Sequence, residues 1–128
     1  MALENLTKEN FDERVRAHDI AIIDFWAPWC GPCRQFAPIF EKVAEENPDI
    51  LFGKVNTEEE QELAGYFQIQ SIPTVSIIRD GVVLFQQPGL LPEEGLKELI
   101  EKVKELDMDE VRKEIEKQQA EAQAQQNG

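Results

Sequence analysis

From Ile20 to Trp26 the chain is apolar at nearly every position, the pattern of a strand covered on both faces. The next apolar residues, Phe36, Ile39, Phe40 and Val43, recur at helical spacing, and a run from Ile50 to Val55 restores the strand pattern. Strand, helix and strand in that order predict a right-handed βαβ unit with its strands parallel. Upstream, Leu3 to Leu6 predicts a short edge strand, and Thr7 is placed to cap a helix carrying Phe11 and Val15 and ending near Arg16. Downstream, Thr57-Glu58-Glu59-Glu60 has the form of a capping box, Thr57 at the N-cap, opening a helix through Leu63, Ala64 and Phe67. Thr74–Ile78 and Val82–Phe85 read as the arms of a hairpin turned by Asp80-Gly81. Pro92–Leu106 sets Leu96, Leu99, Ile100, Val103 and Leu106 on one helical face. The order β-α-β-α-β-α-β-β-α predicts an α/β fold, a mixed central β-sheet flanked by helices on both faces.

Three places break this pattern, and each carries a consequence. Pro38 falls inside the helix after the first buried strand, where it removes one hydrogen bond and crowds the carbonyl of Arg34, so a kink is expected. Asp24 interrupts the apolar strand. A carboxylate there costs several kcal/mol if charged without a partner, so burial is expected to raise its pKa towards neutrality. Between strand and helix lies Trp26-Ala27-Pro28-Trp29-Cys30-Gly31-Pro32-Cys33, which holds both cysteines of the chain.

A C-x-x-C at the point where a buried strand turns into a helix reads as a redox dithiol. Cys30 would sit at the helix start, where unpaired N–H groups and the helix dipole favour a thiolate. Cys33, one turn inside and more buried, would keep its proton and stand close enough to attack a mixed disulfide made by Cys30. Pro32 suits the first helical turn, where its missing N–H has no partner to lose. Gly31 leaves room for an incoming sulfur. The rival reading is half of a zinc site, but structural zinc needs about four ligands and His18, the one histidine, stands far off in a turn, where it reads as a solvated loop residue.

Composition narrows the setting. With 26 acidic against 13 basic residues the net charge is −13, which argues against nucleic acid and anionic membranes as partners. No stretch reaches the roughly 20 apolar residues of a membrane span. The opening Met1-Ala2-Leu3-Glu4-Asn5 has neither the basic start nor the apolar core of a signal peptide, so a cytoplasmic, reducing compartment is expected.

The segment Asp24 to Cys33 resembles the active-site segment of the thioredoxins. Further likenesses stand at matching distances: Lys54-Val55-Asn56, Ile72-Pro73-Thr74, Asp80-Gly81 and Gly89 before the last helix. The resemblance spans roughly residues 3 to 106 and implies the thioredoxin fold. It implies a protein-disulfide reductase with Cys30 as nucleophile and Cys33 as resolving thiol. No bound cofactor is expected. The partners implied are disulfide-containing substrate proteins and an NADPH-dependent thioredoxin reductase, and the chain is expected to be a monomer. It implies that Asp24 takes the proton of Cys33, tuned by Lys54; the alternative is a structural Asp24–Lys54 ion pair. It implies a cis Ile72–Pro73 bond opposite the dithiol, exposing the backbone of Ile72 to an extended substrate. Trp29, Gly31, Pro32, Ile72, Pro73 and Gly89 would form a shallow docking surface, with Trp26 packed beneath the loop and Pro38 as structural support. Gly31-Pro32 between the cysteines favours, by the same resemblance, a reductase over the isomerases and strong oxidants of this fold. Where Leu91 stands the family usually has a capping serine or threonine, so a weaker helix start is expected there.

The likeness stops at the tail. Residues 107–128 carry six acids and three bases and end in a Gln- and Ala-rich run. Met108, Val111 and Ile115 form a thin apolar stripe, which predicts either a helix to about residue 118 with a frayed remainder or a solvated, mostly disordered segment, within an extension separate from a domain spanning 1–106. An alternative function follows from it, an interaction or co-chaperone module acting through this extension.

Overall fold

The computed structural model describes residues 3–127. In chain order the elements are β1 (Leu3–Asn5), α1 (Phe11–Arg16), β2 (Ile20–Trp26), α2 (Gly31–Glu46), β3 (Leu51–Asn56), α3 (Gln61–Tyr66), β4 (Thr74–Arg79), β5 (Val82–Pro88), α4 (Glu93–Glu105) and α5 (Met108–Asn127). The strands form one sheet in the order β1-β3-β2-β4-β5. β1 and β2 run parallel to β3, while β4 runs antiparallel to both β2 and β5. The mixed sheet and the element order through α4 are those expected from the sequence pattern.

β2 has no face toward water, and its alternation feeds two cores. Ile20 and Ile22 join Phe36, Phe40, Phe52, Leu96 and Ile100 under α2 and α4. Ala21, Ile23 and Phe25 join Leu6, Val15, Val55 and Phe67 under α1 and α3. Each fully buried side chain of this size contributes about 1.5–3 kcal/mol relative to leaving it exposed, so the sheet and the helices on both faces are held mainly by this burial. Because side chains alternate along a strand, Asp24 and Trp26 share the α2 side with Ile20 and Ile22, and Lys54 shares it with Phe52.

Several local expectations need correction. Thr7 does not cap α1; it opens a turn, its N–H donating to Asn10 Oδ1 (2.8 Å), and Asn10 takes the N-cap position. The capping box at residues 57–60 does not form. Residues 57–59 make a turn, α3 starts at Gln61, Thr57 Oγ1 donates to the Trp26 carbonyl, and the Glu60 carboxylate accepts from the Lys8 N–H (2.7 Å). Long-range partners took the groups that would have made the local box. His18 is half-buried rather than solvated, its Nδ1 3.0 Å from the Arg14 carbonyl. Leu106 lies past the end of α4, 40% exposed. Asp80 and Gly81 both have positive φ (52° and 80°), the conformation of a tight hairpin turn. At the start of α4, Pro92 occupies the N-cap without a side-chain cap, and Leu91 is buried where a polar cap is usual.

The tail is helical through Asn127, well past residue 118. Asp107 caps it, its Oδ1 accepting from the N–H groups of Asp109 (3.0 Å) and Glu110 (3.4 Å). Met108 is buried, Val111 and Ile115 are half-buried, and residues 116–125 are exposed, so the predicted stripe is the part that packs. Arg79 makes the junction. Its Nη1 donates to the carbonyls of Val103 (2.6 Å), Lys104 (3.3 Å) and Leu106 (2.7 Å), closing the end of α4, while Arg112 pairs with Asp80 (3.2 Å). Arg79→Ala is expected to lower stability by about 2 kcal/mol, the loss of charge-assisted bonds to carbonyls. Hydrogen exchange should then speed up across residues 104–115 while the sheet amides stay protected. Unchanged exchange there would show that Arg79 does not hold the junction.

Candidate functional site

The site is built where β2 delivers the chain to α2. Cys30 is the N-cap of α2, in extended conformation (φ −85°, ψ 113°), and its sulfur accepts from the Cys33 N–H at 3.2 Å. Gly31 and Pro32 form the first helical positions, so the ring of Pro32 replaces an N–H that has no helical partner. A disulfide joins Cys30 and Cys33, with their Cα atoms 5.2 Å apart. Both cysteines are buried, at 5% and 3% exposure, so in the oxidised form the expected contrast between an open Cys30 and a covered Cys33 is slight. A Cβ added at Gly31 would meet nothing within 4 Å, which leaves open space beside the sulfurs. Pro38 lies within α2, on its exposed side.

The sheet brings a second segment to the dithiol. The Ile72–Pro73 peptide bond is cis, and the Ile72 carbonyl oxygen lies 3.7 Å from Cys30 Sγ. In the disulfide that sulfur has no proton; as a thiol it would have one to donate. Gly89, at φ +99°, donates its N–H to the Pro73 carbonyl (2.8 Å), which ties the end of β5 to the start of β4. Trp29 is 65% exposed, and its indole N–H donates to the Glu58 carboxylate. Glu58 escaped the sequence reading because nothing local distinguishes it within an acidic run. Beside Trp29 opens a groove of about 380 Å³ whose far wall is α3 and the Ile69–Ile72 segment.

Beneath the loop lies the charge. Asp24 has no exposed surface, and neither carboxylate oxygen has a hydrogen-bond partner. It stands between Lys54 of β3 and Val75 of β4. Burial pushes its pKa up to about 7, against a smaller opposing pull from the Lys54 ammonium. Lys54 is not hydrogen-bonded to it. The ammonium sits over the Trp26 ring, 4.4 Å from the centroid, so the Asp24–Lys54 ion pair considered from sequence is not formed. Trp26 packs against the cluster of Ala27, Cys30 and Cys33, with its indole N–H buried and unpaired.

Among the described residues no group of three or more His, Cys, Asp or Glu side chains is arranged to hold a metal ion. No described helix is long and apolar enough to cross a membrane.

An α/β sheet that sets a disulfide at a helix start, opposite a cis-proline and above a buried acid, defines a thiol–disulfide oxidoreductase. The comparisons with known proteins agree: the family model for thioredoxin matches residues 2–102. A Streptomyces coelicolor chain that carries the name thioredoxin 2 is 58% identical over 117 residues, covering 91% of this chain and 87% of that one. The thioredoxin of Bacillus subtilis is 39% identical over 103 residues, covering 80% and 98%. Among solved structures, a mutant thioredoxin from Halobacterium salinarum NRC-1 superposes with a TM-score of 0.77 at 32% identity, covering 82% of this chain and 93% of that one. The chain belongs to the thioredoxin family.

The raised pKa of Asp24 fixes a pH dependence. The unfolded carboxyl, with an ordinary value of 3.8, loses its proton before the folded one, whose value is about 7. Between those values the unfolded state binds fewer protons, so stability falls as pH rises from about 4 to 7 and is level above. The full effect is about 4 kcal/mol. Asp24→Asn should remove this slope, so its stability advantage over the parent grows through that window in denaturant titrations of the oxidised protein. Parallel pH profiles for the two would sink the assignment.

Proposed function

We propose that the chain reduces disulfides in other proteins with Cys30 as the attacking thiol and Cys33 as the resolving one. The observation that carries this assignment is Cys30 at the helix N-cap, its sulfur accepting the Cys33 N–H. In the dithiol form the same N–H and the helix dipole favour a thiolate at Cys30 over the neutral thiol. That thiolate attacks one sulfur of the substrate disulfide, whose S–S bond breaks and whose other sulfur leaves as a thiolate. A mixed disulfide joins Cys30 to the substrate. Cys33 passes its proton to Asp24, directly or through one water, and its thiolate attacks Cys30 Sγ. The substrate's second sulfur leaves, both released thiolates take protons from solvent, and two electrons have moved from the dithiol to the substrate.

Asp24 suits the acceptor's role for a physical reason. A carboxyl buried without partners on the α2 side of the sheet, titrating near 7, can take a proton and return it within the range where enzymes work. Lys54 tunes it from the neighbouring strand. Trp29, Gly31, Pro32, Ile72, Pro73 and Gly89 would receive the substrate as an extended segment pairing with the backbone of Ile72. Trp26 supports the loop from below and Pro38 belongs to the helix scaffold. Residues 1–106 would act as the catalytic domain and the tail, 107–128, as an appended element. The dithiol would be restored by an NADPH-dependent thioredoxin reductase, in the reducing cytoplasm, with the chain working as a monomer. With both cysteines kept and the disulfide formed, no observation favours a module that acts through its tail alone.

Cys30→Ser should abolish reduction of insulin disulfides. Cys33→Ser should instead accumulate covalent mixed disulfides, seen as a thiol-sensitive band on non-reducing gels; the opposite pattern would reverse the two roles. Asp24→Asn should slow turnover about a hundredfold, the low end of what a general base supplies, with the largest deficit above pH 7. Equilibration against glutathione should give a potential near the about −270 mV typical of thioredoxins. A value near the about −180 mV of disulfide isomerases would overturn the reductase assignment.

A further inference from the structure

The segment that leads to Pro73 packs through Ile69, against the core around Phe25, and Ile72, against the cysteine cluster. Residues 68–72 are bounded on one side by the groove of about 380 Å³ beside Trp29, and on the other by a second hollow of about 200 Å³ reaching Gln86 and Pro88. With open space on both sides and Gln68, Gln70 and Ser71 exposed, packing holds this wall at two side chains and leaves the rest to hydrogen bonds. The wall leaves α3 through Gln68 in the left-handed region (φ 56°), a turn that must be held by its hydrogen bonds.

One polar strap reaches it from the sheet. Ser76 is fully buried in β4, between the core residues Val75 and Ile77. Its hydroxyl donates to Gln86 Oε1 (2.7 Å), and Gln86 Nε2 donates to the Phe67 carbonyl (2.7 Å) at the C-cap of α3. Ser76 and Gln86 are direct cross-strand partners, so the register of β4 and β5 sets the aim of the amide. The two ends of the amide do different work. The oxygen satisfies a buried hydroxyl that would otherwise lie unpaired in a strand core, and that in turn fixes which way the NH₂ points. The NH₂ holds the end of α3, from which the wall departs. Phe67 itself is anchored by its ring against Phe25 and Phe11, at centroid distances of 5.2 and 5.5 Å. The downstream end is held separately, by Thr74 Oγ1 to the Ser71 carbonyl (2.6 Å) and Gly89 N–H to the Pro73 carbonyl (2.8 Å).

We propose that Gln86, oriented by Ser76, is a positioning residue for substrate docking: it fixes the α3 end of the wall that carries the Ile72 backbone. It touches neither the sulfurs nor the substrate. Its effect falls on binding an extended protein segment and spares the chemistry at sulfur. The inference rests on the reductase reading above.

The test uses the full chain with Gln86→Glu, which keeps the size and the acceptor for Ser76 but removes the donor, and Gln86→Leu, which removes both. KM and kcat are measured with insulin, a protein disulfide, and with 5,5′-dithiobis(2-nitrobenzoic acid), a small one. In both variants KM for insulin should rise about three- to tenfold, what an uncharged hydrogen bond is worth, with kcat and the small-disulfide rate within about twofold of the parent. Hydrogen exchange at residues 68–72 should be faster by a similar factor. Gln86→Glu with parental KM and parental exchange would overturn the proposal, as would an equal loss on both disulfides. If the parent reduces neither disulfide, the reductase reading fails first; exchange at residues 68–72 then still decides whether Gln86 holds the wall.

Discussion

Strand β2 is buried on both faces, and the remaining elements are arranged to keep it so. Its even positions require α2 and α4, its odd positions require α1 and α3, and β3 and β4 must flank it to satisfy its backbone. The end of this strand is therefore a rigid place, fixed by the whole domain. Cys30 follows it after only three residues, so the dithiol inherits that rigidity. Mobility at that point would be costly, because thiol–disulfide exchange needs an attacking sulfur held in line with the bond it breaks.

The same burial supplies the electrostatics. Asp24 sits in β2 with no exposed surface, so the environment that stabilises the sheet is what raises its pKa. Lys54 is near enough to temper this without neutralising it, because its ammonium rests on the Trp26 ring. Stability is given up at the acid to keep a titratable group under the dithiol. At the helix start, in contrast, the N-cap geometry offers the Cys33 N–H to the sulfur of Cys30, which would favour charge there in the dithiol form. One short stretch of chain thus sets a site that resists a negative charge beneath one that would welcome it.

The proposed docking side is assembled differently, from segments distant in sequence. The Ile72 carbonyl, the Trp29 indole with Glu58, and the bond from Gly89 to Pro73 come together because β4 runs antiparallel to β2 and starts beside the end of β2. Hydrogen bonds across β4, β5 and α3 hold it, together with the contacts that Ile69 and Ile72 make with the core.

Much was legible from residue order because it depends on short-range patterning. The all-apolar run of Ile20–Phe25 can satisfy itself only as a doubly covered strand, Asp24 within it must shift its pKa, and a C-x-x-C at the helix start must place one sulfur at the N-cap. The stripe of Met108, Val111 and Ile115 likewise told which part of the tail packs. What failed were local hydrogen-bond assignments. Thr57 and Glu60 had the residue types of a capping box, yet Thr57 bonds to β2 and Glu60 to Lys8, because partners from other segments reached them first. An Asp24–Lys54 pair was the alternative that stood beside the family resemblance, but only the folded sheet showed the ammonium drawn onto Trp26. The strap from Ser76 through Gln86 to Phe67 has no trace in spacing, since it joins three elements whose proximity is created by the sheet. Hydrophobic period and backbone stereochemistry act within a few residues and are written in the sequence alone. Which polar group meets which is a competition among all groups that folding brings together, and only the tertiary structure decides it.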